Sequence, residues 1–234
     1  MKYVISDIHG EYEQFITLLK RINFSDKDTL YVLGDVVDRG PEPIKVLQYM
    51  MTKPNIVPII GNHEVMAYEG LKLLLNEITD DFVKKLNKGD FEMLSNWTLT
   101  GATPTIREFL SLSTEKRAEI WEYIGEFVPY KEVSVGGNEY LLVHAGIERF
   151  DPEKPMEEYA IDDLVWGRID YEIPYYDDVY TVSGHTPTQS IPGNTRPGYI
   201  YQANHHIAID CGSYRNNGRL AAICLDTGEE FYSR

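Results

Sequence analysis

Seven residues, Gly34-Asp35-Val36-Val37-Asp38-Arg39-Gly40, constrain this chain more than any other stretch. They follow the apolar run Leu30-Tyr31-Val32-Leu33, which predicts a buried strand. A strand that ends in Gly-Asp places a carboxylate where the chain turns off the sheet edge, and open α/β sheets bind ligands there. Both oxygens of Asp35 are available, so one carboxylate can bridge two cations. Arg39 offers a planar fork that suits phosphate.

Other strand ends repeat the theme. Tyr3-Val4-Ile5 runs into Asp7-Ile8-His9-Gly10, and residues 56–60 run into Gly61-Asn62-His63-Glu64. Further on, residues 140–143 lead to His144-Ala145-Gly146, and residues 179–182 to Ser183-Gly184-His185-Thr186-Pro187. In an extended segment Asp7 and His9 point the same way, so one cation can take both. Four of the six histidines therefore sit in Gly-flanked motifs after apolar runs. A lone histidine says little; four in one context point to a site.

Between the first motifs, residues 11–22 carry apolar positions at helical spacing, and Pro41 and Pro43 open a second helix to about Met51. Strand, motif and helix in that order predict parallel βαβ units with right-handed crossovers. From 65 to 126 the pattern is helical, with Leu71 to Ile78, Phe82 to Leu94 and residues 114–123 as segments and Thr114 as an expected N-cap. We expect a single domain over 1–234 with a helical insertion at about 65–126, beside the active-site edge, which either packs or shapes substrate access. After Pro129 the chain turns strand-rich, with a hairpin at Gly136-Gly137-Asn138. Residues 171–180 are expected to form an irregular surface loop.

A net charge of −15 disfavours long polyanions, because duplex binding rests on Lys and Arg contacts to phosphate. No apolar run is long enough for a membrane span, and the N-terminus lacks a signal-peptide pattern, so the expected compartment is the cytoplasm. Cys211 and Cys224 are expected to be reduced core residues. His205 and His206 read as structural or surface groups, Glu64 as a helix cap, and Arg196 as solvated.

The polar residues gathered at strand ends suit a pair of divalent cations about 3.5–4 Å apart that share one carboxylate, an arrangement that cleaves phosphate esters. Asp7, His9 and Asp35 serve the first cation; Asp35, Asn62, His144 and His185 serve the second. Mixed imidazole and carboxylate ligation favours two divalent metal ions such as manganese, with iron, zinc or nickel as alternatives, over calcium.

These motifs, in this order and roughly 25 residues apart at the start, resemble the PPP-type metallophosphatases. That family holds serine/threonine protein phosphatases, their small bacterial and phage relatives, and symmetrical dinucleoside tetraphosphate hydrolases. The resemblance spans Asp7 to the C-terminal strands. It implies an α/β fold, the calcineurin-like four-layer α/β/β/α sandwich of two mixed sheets, with the metals at one edge between them. It implies that His63 protonates the leaving oxygen, that Asp38 holds His63 protonated, and that Arg39 and Arg168 clamp phosphate. It also implies that Asp210 supports a ligand histidine.

On size and acidity we expect a phosphomonoesterase acting on phosphoserine or phosphothreonine in proteins, or on small phosphoesters. A symmetrical dinucleoside tetraphosphate hydrolase is the alternative, because the insertion shows no clear basic funnel for a polyphosphate. A metal-binding regulatory protein without turnover is a further alternative, set back because no inferred site position is lost.

Overall fold

A computed structural model of the chain describes residues 1–76, 78–79 and 84–234. The first sheet has strand order β10-β9-β1-β2-β3, where β1 is Lys2–Ile5, β2 Thr29–Leu33, β3 Ile56–Ile59, β9 Ala221–Cys224 and β10 Glu230–Tyr232. The second has order β4-β5-β6-β8-β7, where β4 is Tyr130–Val135, β5 Asn138–Val143, β6 Val179–Ser183, β7 Tyr201–Ala203 and β8 His206–Ala208. Both are mixed. β1, β2 and β3 run parallel, as do β5, β6 and β8, while β9 pairs antiparallel with β1, β10 with β9, β4 with β5 and β7 with β8.

Side-chain alternation explains the layering. In β1 and β2, Tyr3, Ile5, Leu30 and Val32 face a helical layer, while Val4, Tyr31 and Leu33 face the other sheet. In β5, Tyr140 and Leu142 join the inter-sheet core, while Leu141 and Val143 pack outward against Ile147, Met156 and Leu164. The result is the expected four-layer sandwich with uneven outer layers. Helices α1 (Tyr12–Arg21), α2 (Pro43–Met51), α3 (Asn62–Leu73), α4 (Lys88–Leu99), α5 (Thr103–Leu110) and α6 (Thr114–Gly125) pack on the first sheet. Among the described residues, the part of the chain that forms the second sheet holds two 3₁₀ turns, Met156–Glu158 and Thr188–Ser190, and the five-residue α7, Ile161–Val165.

The parallel order matters for function. Because β1, β2 and β3 share a direction, their C-terminal ends lie at one edge, and β5 and β6 do the same in the other sheet. All five motifs follow those ends.

Several details differ from expectation. The helix after Gly61 begins at Asn62, so the motif residues are its first turn and not a loop before it. Ser113, not Thr114, caps α6 by accepting the Lys116 amide. Residues 171–178 form the irregular surface loop expected, and it is tied down: Tyr171 and Tyr175 pack against His206, and the Tyr175 hydroxyl bonds the Ile147 backbone. The helical expectation at Phe82 and Val83 lies outside the described residues.

Candidate metal centre and active site

Backbone geometry at the strand ends is unusual. Asp7, His9, Asp35, Asp38, Arg39 and His185 all have positive φ, between 46° and 70°. That left-handed region costs about 1 kcal/mol or more for a non-glycine residue and gathers at functional sites. Here it turns successive side chains inward instead of alternating them. Glu64 holds the sharpest of these turns. Its carboxylate accepts the amides of Asp35, Val36 and Val37 at 2.7, 2.8 and 3.1 Å, and that of Gly61 at 3.0 Å. The expected helix cap is therefore also the clamp on the Asp35 loop. Burial and then the Asp35 charge push its carboxyl up to about 7, against the pull of the amides.

Asp35 lies at the centre. Its oxygens stand 3.5 Å from His9 Nε2 and 3.4 Å from His144 Nε2. His9, Asp35 and His63 bring ligand atoms together in one group, and Asp35, His144 and His185 in a second. The imidazole protons can be placed. Nδ1 of His9 lies 2.9 Å from the Val37 carbonyl, and Nδ1 of His144 lies 2.7 Å from that of Leu33. A carbonyl only accepts, so each Nδ1 carries the proton and each Nε2 turns a lone pair toward Asp35. Asn62 Oδ1 sits 3.0 Å from His144 Nε2 and 2.9 Å from His185 Nδ1.

The charge state agrees with cation ligation. Burial drives the pKa of His9 well below its ordinary value and lowers that of His144; burial and then His144 bring His185 down to about 3. Three neutral imidazoles thus face Asp35. Burial opposes ionisation of Asp35 as well, but the surrounding histidines outweigh it and hold the carboxyl below its usual range. Asp7, Asp35 and Asp210 are all buried in one region. Burial, then the charges of Asp210 and Asp35, raise the Asp7 carboxyl well above its ordinary value. Converging lone pairs and crowded carboxylates form a donor set that fits divalent cations.

Asp7 is the one expected ligand that stands apart from both tight groups. Its oxygens accept the His185 amide at 3.2 and 3.0 Å. Asp210 departs from expectation too. Its carboxylate accepts the Gly212 amide at 2.8 Å rather than meeting a histidine, and the backbone carbonyls of Val37 and Leu33 orient the rings of His9 and His144 instead.

A second cluster adjoins the first. His63 Nδ1 lies 2.6 Å from Asp38 Oδ2. Burial opposes charge on His63, but the Asp35 and Asp38 carboxylates outweigh it and raise the pKa. Asp38 also accepts Trp97 Nε1 at 2.8 Å and the Thr105 hydroxyl at 2.6 Å. Trp97 lies on α4 and Thr105 on α5, so the insertion builds part of the site. Sequence reading missed both, as it missed Tyr214. Arg39 directs its fork at His9 Nε2 and His63 Nε2, 2.8 and 2.9 Å away, and stacks 4.4 Å over the Tyr214 ring. Tyr214 in turn packs edge-on to His9 at 4.9 Å. At the other end Trp166, 46% exposed, stands 6.2 Å from the His185 ring, and Arg168 donates to the Thr186 hydroxyl at 2.7 Å. His206 is buried and donates to the Ile173 carbonyl, and His205 packs on Tyr180. The two cysteines are buried and unbridged.

The calcineurin-like phosphoesterase family model matches residues 3–225. The chain belongs to that family. Its members use a dinuclear divalent metal site, and the ligand groups above are its candidates here. Among relatives, a symmetrical bis(5'-nucleosyl)-tetraphosphatase of Buchnera aphidicola is 41% identical over 100 residues, which is 41% of this chain and 36% of that protein. The chain thus matches well under half the length of that relative. Serine/threonine-protein phosphatase 2 of Salmonella typhimurium is 28% identical over 91% of this chain and 87% of its own length. A solved structure with the provisional name of a diadenosine tetraphosphatase superposes with a TM-score of 0.64 at 17% identity, covering 99% of this chain and 91% of that one. That last likeness speaks for the fold.

Proposed function

We propose that this phosphoesterase cleaves the phosphoric anhydride of a dinucleoside tetraphosphate. The observation that carries the reading is the pair of aromatic rings at the two ends of the histidine row. Tyr214 lies against His9 and Arg39, and the exposed Trp166 lies beside His185. A substrate with a base at each end has a stacking partner on either side of its phosphates. The tetraphosphatase relative supports this order of preference over the phosphoprotein substrate expected from size and charge.

Asp7, His9 and Asp35 would hold one divalent cation, and Asp35, Asn62, His144 and His185 the other. When bound, the pair supplies a water acidified enough to attack phosphorus at neutral pH. The side chains do the remaining work. Arg39 and Arg168 approach from opposite ends and neutralise the equatorial oxygens, where charge grows. With Arg39 donating to its Nε2, His63 keeps its proton on Nδ1, toward Asp38. A phosphoryl group draws that fork onto its own oxygens and leaves Nε2 free to carry a proton. Asp38 then favours the imidazolium, which protonates the departing oxygen.

The phosphoprotein reading has its own support, since the Salmonella phosphatase aligns along nearly the whole chain. A manganese-supplemented panel decides between them: diadenosine tetraphosphate, a phosphopeptide, an aryl monoester and an aryl diester. We expect the highest kcat/KM on the tetraphosphate, with ADP as the sole nucleotide product. A higher kcat/KM on the phosphopeptide would reverse the order, and AMP with ATP as products would exclude the symmetrical cut.

A further inference from the structure

A cleft of about 620 Å³ adjoins Tyr214, and Glu11, Gln14, Tyr214, Arg215, Asn216 and Arg234 help line it. Its character is polar and, locally, basic. The whole chain has 37 acidic and 22 basic residues, yet two guanidiniums meet here against one carboxylate. That carboxylate, Glu11, is engaged by the Gln14 amide at 3.0 Å. Gln14 is itself spent on the Ser213 carbonyl, the Leu220 amide and the Ser233 hydroxyl. Arg234 is tied through its Nε to the Gly218 carbonyl. The Arg215 side chain differs. It is exposed, and its guanidinium has no hydrogen bond or ion pair among the described residues; its one close partner is the Tyr214 ring, 5.7 Å away.

Tyr214 connects this cleft to the metal centre. The Arg39 guanidinium lies 4.4 Å over the ring that Arg215 also approaches. A cation over an aromatic face is held in place without using up its N–H donors. The Arg39 fork is engaged by His9 and His63 until a phosphoryl group draws it away, whereas the Arg215 fork is free to bind an oxygen anion beyond the reacting phosphorus. A planar fork with unused donors matches phosphate.

We infer that the Tyr214–Arg215 cleft binds the non-reacting phosphates of a polyphosphate substrate, with Arg215 gripping the phosphates next to the one that Arg39 holds. This rests on the anhydride reading above and assigns it a subsite. A phosphorylated serine or threonine side chain has no second phosphate to place there.

Three proteins test it: the full chain, Arg215→Ala and Arg215→Lys, each with manganese at fixed free concentration. The first readout is the ratio of kcat/KM on diadenosine tetraphosphate to kcat/KM on an aryl monophosphate. The second is the inhibition constant of inorganic tripolyphosphate against aryl phosphate hydrolysis. We expect Arg215→Ala to lower the ratio about tenfold, through KM, and to raise the inhibition constant about tenfold. Arg215→Lys should recover part of both, as a point charge without the fork. Tetraphosphate turnover with ratio and inhibition constant unmoved would overturn the subsite and leave the anhydride reading standing. No tetraphosphate turnover, with the inhibition constant still raised, would overturn that reading and keep a polyphosphate site; no turnover and an unmoved constant would overturn both.

Discussion

Three donors converge on Asp38, from His63, Trp97 and Thr105, and none of them comes from its own element. A buried carboxylate so fully hydrogen-bonded is held in one orientation and fixes the ring it touches. Its effect on catalysis is therefore expressed through His63. Replacing His63 with Ala should lower kcat on poor leaving groups by about 10²–10⁴, and much less on good leaving groups that depart without a proton. A series of aryl phosphates of graded leaving-group pKa measures this directly. Equal losses across the series would remove the proton-donor role.

At the scale of elements, the helices between β3 and β4 both pack on the first sheet and reach Asp38. They bury Trp97 and Phe109 against the first sheet, and they also present Trp97 Nε1 and the Thr105 hydroxyl to Asp38. Gly70 on α3 lies so close to the Trp97 ring that a methyl group there would overlap it. Gly70→Ala should thus push α4 from α3 and, through Trp97, weaken the Asp38 contact without replacing any residue that meets Asp38. Trp97→Phe keeps the ring but drops a hydrogen bond to a charged group, a loss of about 1.5–3 kcal/mol. We expect kcat on poor leaving groups to fall about tenfold in that variant. The double variant with His63→Ala should be no slower than His63→Ala alone, because both changes act through one proton donor. Additive losses in this cycle would place Trp97 outside the Asp38–His63 pair.

Across the whole molecule, the two sheets bring carboxylates together from distant strands: Asp7 and Asp35 from the first sheet, and Asp210 following β8 of the second. A cation between them should tie the sheets together. At about 100 times its dissociation constant a bound ion adds roughly 2.7 kcal/mol, which for a chain of this size raises Tm by about 5–10 °C. Melting with manganese against chelator measures the effect, and an unchanged Tm would argue against a cation between the sheets. The chelated protein has a distinct pH signature. Burial pushes the Asp210 carboxyl up to about 6, with the Asp35 charge adding and the Gly212 amide opposing. The folded chain holds this proton more tightly than the unfolded one. The stabilisation is complete below about pH 4 and is lost as pH rises through about 6. In chelator near pH 8, Asp210→Asn should melt higher than the parent, by on the order of 2 kcal/mol, with the difference vanishing toward pH 4. No helix of the described residues is long and apolar enough to cross a membrane.

Much of the centre was legible from local pattern alone, because each of its motifs closes an apolar strand and carries its functional residue within a few positions. Asp35, His9, His63, Asn62, His144 and His185 needed only that strand ends in a parallel sheet share an edge. What lay beyond the sequence was every partner fixed by packing between elements. Trp97 and Thr105 sit in ordinary amphipathic helices, where an aromatic or hydroxyl side chain at a buried position looks the same whether it meets Leu or a carboxylate. Tyr214 and Arg215 follow a strand with no motif around them, and only the crossing of that segment over α1 and the Arg39 turn sets them beside the centre. Glu64 was legible as a cap, since capping depends on spacing along one helix. Its grip on the Asp35 loop depends on two strand ends lying side by side, a distance that neighbouring residues cannot encode. Short-range periodicity thus determined which side chains stand at the strand ends, and the association of the two sheets and the helices between β3 and β4 decided how they are gathered, held and charged.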